Sequence, residues 1–513
     1  MDLPEVSCSQ IIESIQDKLP ALFFVFSRGR TELLAQDLAR EWDFLDAREK
    51  RGVGEALREA EAEQPGTFSG IGWRNLRRLL YQGIAFHHAG LLPPVKYLVE
   101  NLYSKRLLWV VFCTETFAAG VNFPAASAVF DSTRKWDGHD FRILHNREFF
   151  QMAGRAGRRG YDRIGHAFVR VDSRFPEQTG FFSEEDVEPV LGRLIISPNT
   201  VLSLLKYKTD AEIDKYMNGN FKMHQFKKRK TELEEQIGLM ARQVHEVAAA
   251  MCLEHGTMAC PVERVRARRQ LKRLRRRGKT GEKELLQKKL LSATARKCHD
   301  TENCSLAADH LLEMEKRLLA LEEEYDVVCR QNVSVFEEFR EVRELLEKLG
   351  YVKGREFFPR GNFALELHVQ EILITELAFS GLLEDADPAE VAAVLAGVEF
   401  VPGKNTQVIR QEFPATRDVF AIRRELTKMG APEQFCIWSS LPGALAHAWY
   451  NGASFNDLLA MSSLQPGDVF SIFRREIDLL RQIERASSEN PSLAGRVRAI
   501  RARLDREEVA LTF

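Results

Sequence analysis

Two arginines three residues apart lie among small residues in the stretch QMAGRAGRRG, residues 151–160. If this stretch is helical, Arg155 and Arg158 share a face, because side chains at i and i+3 are neighbours on a helix. A guanidinium is a planar fork that matches phosphate oxygens bidentately. Gly157 and Gly160 flank the second arginine and leave the backbone uncrowded. The pattern is typical either of a site for an anion such as a triphosphate, or of a solvated basic turn.

Short apolar runs alternate with amphipathic stretches over residues 1–175, which predicts a parallel sheet covered by helices. Strands are predicted over residues 21–26, 84–88, 107–113, 128–130 and 165–171, and helices over residues 31–42 and 91–103. Ligands bind outside the carboxyl ends of the strands in such sheets. The pair Ser27-Arg28, the segment 114–116 and the arginine stretch follow predicted strands or lie on the helices after them. We therefore expect all three to converge on one site.

Three segments give the pattern a family resemblance. They read FVFSRGRTE, FHHAGLLPPVKYLVENLYSKRLLWVVFCTETFAAGVNFPA and QMAGRAGRRGYDRIGHAFV, in that order. Together they resemble the second motor domain of superfamily 2 helicases, and most of all the superkiller-like DExH-type RNA helicases that work with exonucleases. The resemblance implies a RecA-like α/β domain that takes part in ATP hydrolysis.

The resemblance also implies roles for single residues on the nucleotide side. Gln151, Arg155 and Arg158 match the motif that meets ATP, and the two arginines match arginine fingers. Such a finger stabilises the charge that develops on the transferred phosphoryl group. Gly120 and Asn122 match the segment that approaches the nucleotide and couples it to the nucleic-acid track.

On the nucleic-acid side, the resemblance implies that Ser27, Arg28, Thr114 and Thr116 hold backbone phosphates. Hydroxyls and N–H groups at helix starts can do this without reading sequence. Simple helix capping is the alternative for the two threonines. Residues 136–146 lie where these helicases carry a hairpin or loop at the point of strand separation, and a plain connecting loop is the alternative.

The motifs of a first motor domain are not found in the sequence. Such a domain supplies a phosphate loop, G-x-x-x-x-G-K-[ST], and a DExH acidic pair for Mg²⁺. The near match at Gly278-Lys279-Thr280 has Arg273 where the first glycine is required. We therefore expect the C-terminal half of a helicase, as a truncation, a gene fragment or a subunit of a split enzyme. This chain alone is expected not to hydrolyse ATP.

The expected fold is an α/β motor domain followed by mostly α-helical parts. In order these are the RecA-like motor (1–175), a winged-helix connector (176–225), a charged helical stalk insertion (226–330), a winged-helix or bundle entry (331–400) and a C-terminal helical bundle (401–513). The periodicity predicts helices over residues 187–207, broken at 197–199, and over residues 211–225.

The predicted stalk carries two features that could bind ligands. Ten of the sixteen residues 264–279 are basic, which is typical of a solvated helix face or of a track for RNA phosphates. Two cysteine pairs stand at its ends, Cys252 with Cys260 and Cys298 with Cys304. Four thiolates can hold a structural Zn²⁺. The spacing is wide for a zinc site, so unconnected cysteines and a disulfide remain alternatives.

ITELAFSGLL resembles the stretch that leads into the helical bundle of the same helicases, and residues 446–483 resemble the last part of that bundle. Ser454 is predicted to cap a helix over residues 455–461, and another helix is predicted to start at Gly467-Asp468. That helix carries Arg474 and Arg475, and in the family it lines the RNA path. Surface ion pairs are the alternative for these arginines.

Composition limits the cellular setting. The 73 basic and 74 acidic residues nearly cancel, so any nucleic-acid surface must be local. No apolar run is long enough for a membrane span, and the N-terminus is not a signal peptide. Eight cysteines in 513 residues indicate a reducing compartment, and a cytoplasmic location is expected.

The predicted function is the C-terminal half of an ATP-dependent 3′–5′ helicase that acts in RNA unwinding and turnover. Its expected ligands are ATP with Mg²⁺ and single-stranded RNA, and its expected partner is an exonuclease or the missing motor domain. A non-catalytic RNA-binding or scaffold subunit and a related DNA helicase are the alternatives.

Overall fold

The computed structural model describes residues 6–64, 66–68, 70–118, 124–158, 160, 162–172, 174–175, 182–183, 185–249, 260, 263–264, 267–268, 271, 280–292 and 301–510. Within helices, the side chains of residues 70–71, 280–283, 285, 301–308 and 331–334 are also left undescribed. The chain divides into two compact units. The first contains residues 1–190 and 345–513, and the second contains residues 191–344.

A five-stranded parallel sheet forms the centre of the first part of unit one. Its strands are β1 (Ala21–Phe24), β2 (Ile84–His87), β3 (Val110–Cys113), β4 (Ser127–Phe130) and β7 (His166–Val169), in the order β2-β3-β1-β4-β7. All four neighbouring pairs are parallel, as the alternation predicts. The first four strands are buried at every position, which explains why they read as continuous apolar runs.

Aromatic rings fill the space around the sheet. Phe23 stacks on Phe112 across β1 and β3 with ring centroids 5.0 Å apart, and Phe24 meets Phe130 at 5.5 Å. Burying each phenylalanine contributes about 1.5–3 kcal/mol. The sheet is therefore a firm base for the loops that leave its two edges.

Helices connect these strands. They are α1 (Cys8–Ser14), α2 (Arg28–Leu38), α3 (Ala47–Glu63), α4 (Gly70–Leu80), α5 (Pro93–Ser104) and α6 (Asn146–Ala153), with a 3₁₀ turn at Glu115–Ala118. Ser27 caps α2, and Pro93 and Pro94 open α5, where a missing N–H costs nothing. The predicted helices in this part are confirmed, with boundaries shifted by a few residues.

The segment after β4 is a hairpin. Strands β5 (Arg134–Trp136) and β6 (Phe141–Ile143) pair antiparallel, and Gly138 turns the chain at φ +110°. The segment therefore forms a hairpin, and its role at the point of strand separation stays a prediction. Its tip presents Trp136 and Phe141 to solvent in a T-shaped pair with ring centroids 5.3 Å apart.

Residues 345–513 of unit one form a helical part that begins with the small hairpin β8 (Val352–Lys353) and β9 (Glu356–Phe357). Its helices are α12 (Pro359–Leu365), α13 (Glu371–Phe379), α14 (Leu382–Asp385), α15 (Pro388–Leu395), α16 (Pro414–Lys428), α17 (Gly443–Tyr450), α18 (Phe455–Ala460), α19 (Pro466–Ala486) and α20 (Pro491–Leu504), followed by a 3₁₀ turn at Glu507–Ala510. Ser454 caps α18 in a capping box, as predicted.

The core of the helical part is built around Trp449. This ring is fully buried, lies 5.6 Å from the ring of Phe473, and donates its indole N–H to the carbonyl of Leu504 at 2.8 Å. It therefore ties together α17, α19 and the end of α20. Such a buried tryptophan needs a partner for its N–H. A carbonyl in the last turn of a helix, which has no partner within the helix, supplies one.

Unit two contains the helices α7 (Pro198–Tyr207), α8 (Asp210–Gly219), α9 (Phe221–Ala249) and α10 (Thr280–Ser292), and most of α11 (Thr301–Lys348). The prediction of a helix over residues 187–196 was wrong, because helix begins only at Pro198, with Ser197 as its cap. Proline is tolerated in a first helical turn and disfavours helical backbone in the residue before it.

Side-chain contacts join α9 and α11 within unit two. Arg229 pairs with Glu324 at 2.6 Å, and the hydroxyl of Tyr325 donates to Glu234 at 3.0 Å. Long helices therefore do occur in the segment predicted as a stalk. The assignments of a stalk and of winged helices stay predictions, and most of the basic stretch 264–279 lies outside the described residues. Within the described ranges, no helix combines the length and apolar character that crossing a bilayer requires.

A carboxyl group is buried without a partner in the helical part. Glu476 on α19 is 1% exposed, and neither of its carboxylate oxygens has a hydrogen-bond partner among the described residues. Burial raises its pKa well above the ordinary value of a glutamate. Burial therefore favours the neutral form of this carboxyl group in the native protein.

Glu476→Gln is predicted to stabilise the protein at neutral pH, by an amount that grows as pH rises. A group whose native pKa is raised contributes stability below its unfolded pKa, here about 4.3, and loses it as pH rises toward the native pKa. Within that window the wild type should lose about 1.4 kcal/mol per pH unit relative to the variant.

Thermal denaturation of both proteins at about pH 5, 6 and 7 measures this difference. The exposed Glu489→Gln is the matched control and should show no such trend. A stability difference between Glu476→Gln and wild type that stays constant with pH would mean that Glu476 is ionised in the native state.

Candidate functional site

The carboxyl edge of the sheet presents hydroxyl groups from two neighbouring strands. Phe24 is level with Cys113 in the parallel register, so Ser27 and Thr114 leave the sheet at the same edge. Ser27 is exposed and accepts the N–H of Arg30 at 3.5 Å as the cap of α2. The hydroxyls of Thr114 and Thr116 lie 2.8 Å apart, and Thr116 is exposed. These groups can reach an oxyanion that lies along the edge.

Arg28 leaves the same edge but is already paired. Its Nη1 lies 2.8 and 2.9 Å from the two carboxylate oxygens of Asp468 and 3.2 Å from Oε1 of Gln465. Both partners belong to the helical part, more than 430 residues away in sequence. The structure therefore places Arg28 against a carboxylate of its own chain, unlike the hydroxyls beside it.

Residues 154–158 are not helical, which corrects the premise on which Arg155 and Arg158 share a helix face. Helix α6 ends at Ala153, and Gly157 has φ +95°. A Cβ at Gly165 would lie 2.3 Å from the carbonyl oxygen of Ala156, so the loop passes close to the chain that enters β7. Glycine at positions 157 and 165 permits this path, and a helix would not.

The arginine loop lies at the amino edge, so the prediction that all three motifs converge was wrong. Ala125, two residues before β4, donates its N–H to the carbonyl of Arg155 at 2.9 Å, and its own carbonyl accepts from Gly157 at 2.7 Å. The next residue, Ala126, donates to Pro20, which directly precedes β1. The physical reason is connectivity, because α6 must return the chain to the amino edge before the next parallel strand begins.

The guanidinium of Arg158 makes a bidentate contact with a carboxylate that the sequence analysis did not predict. Its Nε and Nη2 lie 2.8 and 2.9 Å from the two oxygens of Asp162, and its backbone N–H donates to the same carboxylate at 2.8 Å. The guanidinium lowers the pKa of Asp162 to about 2. A carboxylate four residues after an arginine is visible in sequence, so this pairing could have been found.

Three further residues were predicted on the nucleotide side. Gln151 lies exposed on the last turn of α6. Gly120 and Asn122 lie outside the described residues, so their predicted roles stay predictions. Thr114 stands at the carboxyl edge of the sheet and Ala125 at its amino edge.

The two arginines predicted on α19 have different environments. Arg474 is half-buried, and its Nη1 donates to the carbonyl of Val509 at 3.2 Å and to Asp505 at 3.4 Å. Arg475 is exposed, and its Nε donates to the carbonyl of Ser471 one turn earlier at 3.3 Å. Arg475 is therefore placed to reach a ligand in solvent, while Arg474 ties the helix to the C-terminal segment.

A basic side chain next to the hairpin was not predicted. Nζ of Lys404 lies 4.9 Å above the ring of Trp136, which is 42% exposed and pairs with the exposed Phe141. A cation beside two exposed rings suits a stacked base and its phosphate. No sequence pattern links Lys404 to Trp136, because the contact joins segments far apart in the chain.

The structure does not test the zinc prediction. Cys252 and Cys298 lie outside the described residues, and the side chain of Cys304 is undescribed. Cys260 is buried with a free thiol. Among the residues that are described, no group of three or more ligating side chains could hold a metal ion. A zinc site in this segment stays a prediction.

The chain matches one protein-family domain and several longer proteins. Residues 355–511 match the DSHCT (NUC185) domain. The human protein named Superkiller complex protein 2 is 43% identical over 161 residues, which is 31% of this chain and 13% of that protein. The yeast Antiviral helicase SKI2 (Saccharomyces cerevisiae) is 32% identical over 247 residues, or 46% of this chain and 18% of that protein. The human Exosome RNA helicase MTR4 is 34% identical over 203 residues, or 38% and 19%.

These relatives are much longer than the matched regions, since the chain covers less than a fifth of each of the three. Two of these relatives are named as helicases, in agreement with the resemblance that the motifs indicated. The predicted resemblance is confirmed, because this chain is similar to superkiller-like DExH RNA helicases.

Proposed function

We propose that this chain supplies the second motor domain and the RNA-guiding helical part of an ATP-dependent RNA helicase. The proposal rests on the different side chains that lie at the two edges of one sheet. Exposed hydroxyls follow β1 and β3 at the carboxyl edge, whereas the loop with Arg155 and Arg158 lies at the amino edge. A motor that converts nucleotide chemistry into movement on RNA needs two such surfaces on one rigid body.

The arginine loop supports the nucleotide role through its geometry. Arg158 already grips two oxygens of one carboxylate with two parallel N–H bonds, which is the arrangement a guanidinium uses on a phosphate. In this role, which the resemblance implies, Arg158 would exchange Asp162 for the terminal phosphate of ATP and stabilise the charge that develops there. The acidic pair that holds Mg²⁺ in this class belongs to the DExH box of a first motor domain, with which this chain would act.

The carboxyl edge supports binding of a sugar–phosphate backbone without sequence preference. Thr114, Thr116 and Ser27 offer neutral donors there, and the exposed Trp136 with Lys404 offers a place for a base to stack. The direction of movement, 3′ to 5′, and closure of two motor domains around ATP follow from the resemblance.

The cellular role is proposed from the relatives. Two of them carry the names Superkiller complex protein 2 and Exosome RNA helicase MTR4, so we propose action in RNA turnover together with an exonuclease. Cys8, Cys113 and Cys436 are buried free thiols, and burial raises the pKa of each. Such inert thiols fit the reducing cytoplasm that we propose as its location.

Arg158→Ala is predicted to reduce RNA-stimulated ATP hydrolysis by about 10³-fold or more when the chain is joined to a motor domain that carries the phosphate loop. Arg158→Lys should recover little of the loss, because an ammonium cannot form the bidentate contact. The measurement is the steady-state rate of phosphate release with saturating single-stranded RNA.

Arg163→Ala is the matched control, because Arg163 is exposed in the same loop. Its rate should stay within about twofold of wild type. The proposal fails if Arg158→Ala keeps more than half of the ATPase. A joined protein that binds RNA but shows no RNA-stimulated ATPase would favour the non-catalytic scaffold, and equal stimulation by single-stranded DNA would favour a DNA motor.

The double variant Thr114→Val, Thr116→Val is predicted to weaken binding of a labelled oligouridylate by about tenfold or more. A hydrogen bond to a charged phosphate contributes about 1.5–3 kcal/mol, and valine keeps the shape while removing the donor. The slope of log affinity against log salt concentration should not change, because a neutral hydroxyl releases no counterion.

Fluorescence anisotropy across a salt series measures both quantities. Thr427→Val, an exposed helix threonine in the helical part, is the control for a lost hydroxyl. Affinity equal to wild type at every salt concentration would reduce Thr114 and Thr116 to helix-capping residues.

A further inference from the structure

Backbone-to-backbone contact joins the start of α19 to the carboxyl edge of the sheet. The N–H of Gly467 donates to the carbonyl of Gly90, in the loop after β2, at 2.8 Å. A Cβ at Gly467 would lie 2.3 Å from the carbonyl oxygen of Ala89 and 2.7 Å from that of Leu91. No side chain fits between these backbones, so the contact requires glycine at position 467.

A chain of polar side chains surrounds this backbone contact. Arg28 binds Asp468 through Nη1 at 2.8 Å and also reaches Gln465. The amide of Gln465 donates to Glu32 at 3.4 Å, and the same oxygen of Glu32 lies 3.2 Å from Nε2 of His88. His88 is 1% exposed, and its Nδ1 accepts the N–H of Gly90 at 3.1 Å. The network therefore begins on α19 and ends in the loop that contacts Gly467.

The position of Asp468 makes it a suitable partner for Arg28. It lies in the first turn of α19, where the helix dipole favours a negative charge. The two side chains are 40% and 32% exposed, so the pair alone would contribute little. Because the Gly467–Gly90 contact already fixes the two backbones, however, the pair forms without the entropic cost of bringing distant segments together.

We propose that Arg28 and Asp468 are positioning residues that lock α19 onto the sheet, and that Arg28 is not a phosphate ligand. This inference rests on the proposed function, in which α19 and the carboxyl edge both face RNA. The lock makes the exposed Arg475 on α19 and the hydroxyls of Ser27 and Thr114 parts of one body. Movement of the motor sheet is then passed directly to α19, with no flexible joint between them.

The two possible roles of Arg28 predict opposite effects of removing its partner. If Arg28 holds α19, Asp468→Asn should lower affinity for a labelled oligouridylate about three- to tenfold, because the RNA contacts move apart. If Arg28 is instead a phosphate ligand, Asp468 competes with RNA for its guanidinium. Asp468→Asn should then raise the affinity for the oligouridylate, because the competing anion is lost. Arg28→Ala would then reduce the salt slope by about 1, as expected for a lost phosphate contact.

The experiment compares the full chain with Arg28→Ala, Asp468→Asn, their combination, and the exchange Arg28→Asp with Asp468→Arg. The proposal expects the two single variants and their combination to bind RNA equally weakly, with the wild-type salt slope. The exchange should recover affinity to within about twofold of wild type, since coupled residues act as a unit. Arg417→Ala, an 82% exposed arginine in the helical part, is the control for charge and should bind RNA as wild type does.

Thermal denaturation of the same proteins separates this inference from the proposed function. Non-additive losses in Tm for Arg28 and Asp468, reversed by the exchange, support the lock even if the wild-type chain fails to bind RNA. Gly467→Ala should lower Tm further, because its Cβ meets backbone that cannot move aside. Tighter RNA binding by Asp468→Asn, or additive losses without recovery in the exchange, would overturn the proposal.

Discussion

The parallel pairing of five short strands is the constraint on which the rest of unit one depends. Each strand has only four residues, and its backbone groups are satisfied by neighbours on the sheet. Because all strands point the same way, every connection must carry the chain from the carboxyl edge back to the amino edge. A loop that begins a connection therefore lies at the carboxyl edge, and a loop that completes a connection lies at the amino edge.

This sorting assigns chemistry to the two edges. Ser27 and Thr114 begin connections and so lie at the carboxyl edge, where neutral donors can line up along a phosphate backbone. Arg155 and Arg158 come after α6 has crossed the sheet, so they lie at the amino edge. The sheet between them is buried and packed against aromatic rings. Such close packing transmits a displacement from one edge of the sheet to the other. The attachment of α19 at Gly467 extends the same body into the helical part.

The sequence predicts the elements of this architecture better than their contacts. The buried strands were found because ALFF and VVFC are continuous apolar runs, and α18 was found because Ser454 is a typical cap. Arg155 and Arg158 were expected to share a helix face if their stretch were helical, but α6 ends at Ala153 and Gly157 has a positive φ. A local pattern carries no information about which edge a loop reaches.

Long-range pairing accounts for most of what the sequence left open. Asp162 stands four residues after Arg158 and could have been anticipated. Asp468, the partner of Arg28, is 440 residues away, and Lys404 meets Trp136 from a segment more than 250 residues later in the chain. Such contacts depend on how the helical part docks on the sheet, which is set by shape and by Gly467 and not by any motif near Arg28.

Hydrogen–deuterium exchange tests the assignment of the two edges most directly. With single-stranded RNA alone, the account predicts slower exchange at residues 27–31 and 114–118 and unchanged exchange at residues 154–165. Adding a motor domain that carries the phosphate loop, together with a non-hydrolysable ATP analogue, should slow exchange at residues 154–165. Protection of residues 154–165 by RNA alone, with none at residues 27–31 and 114–118, would contradict the account.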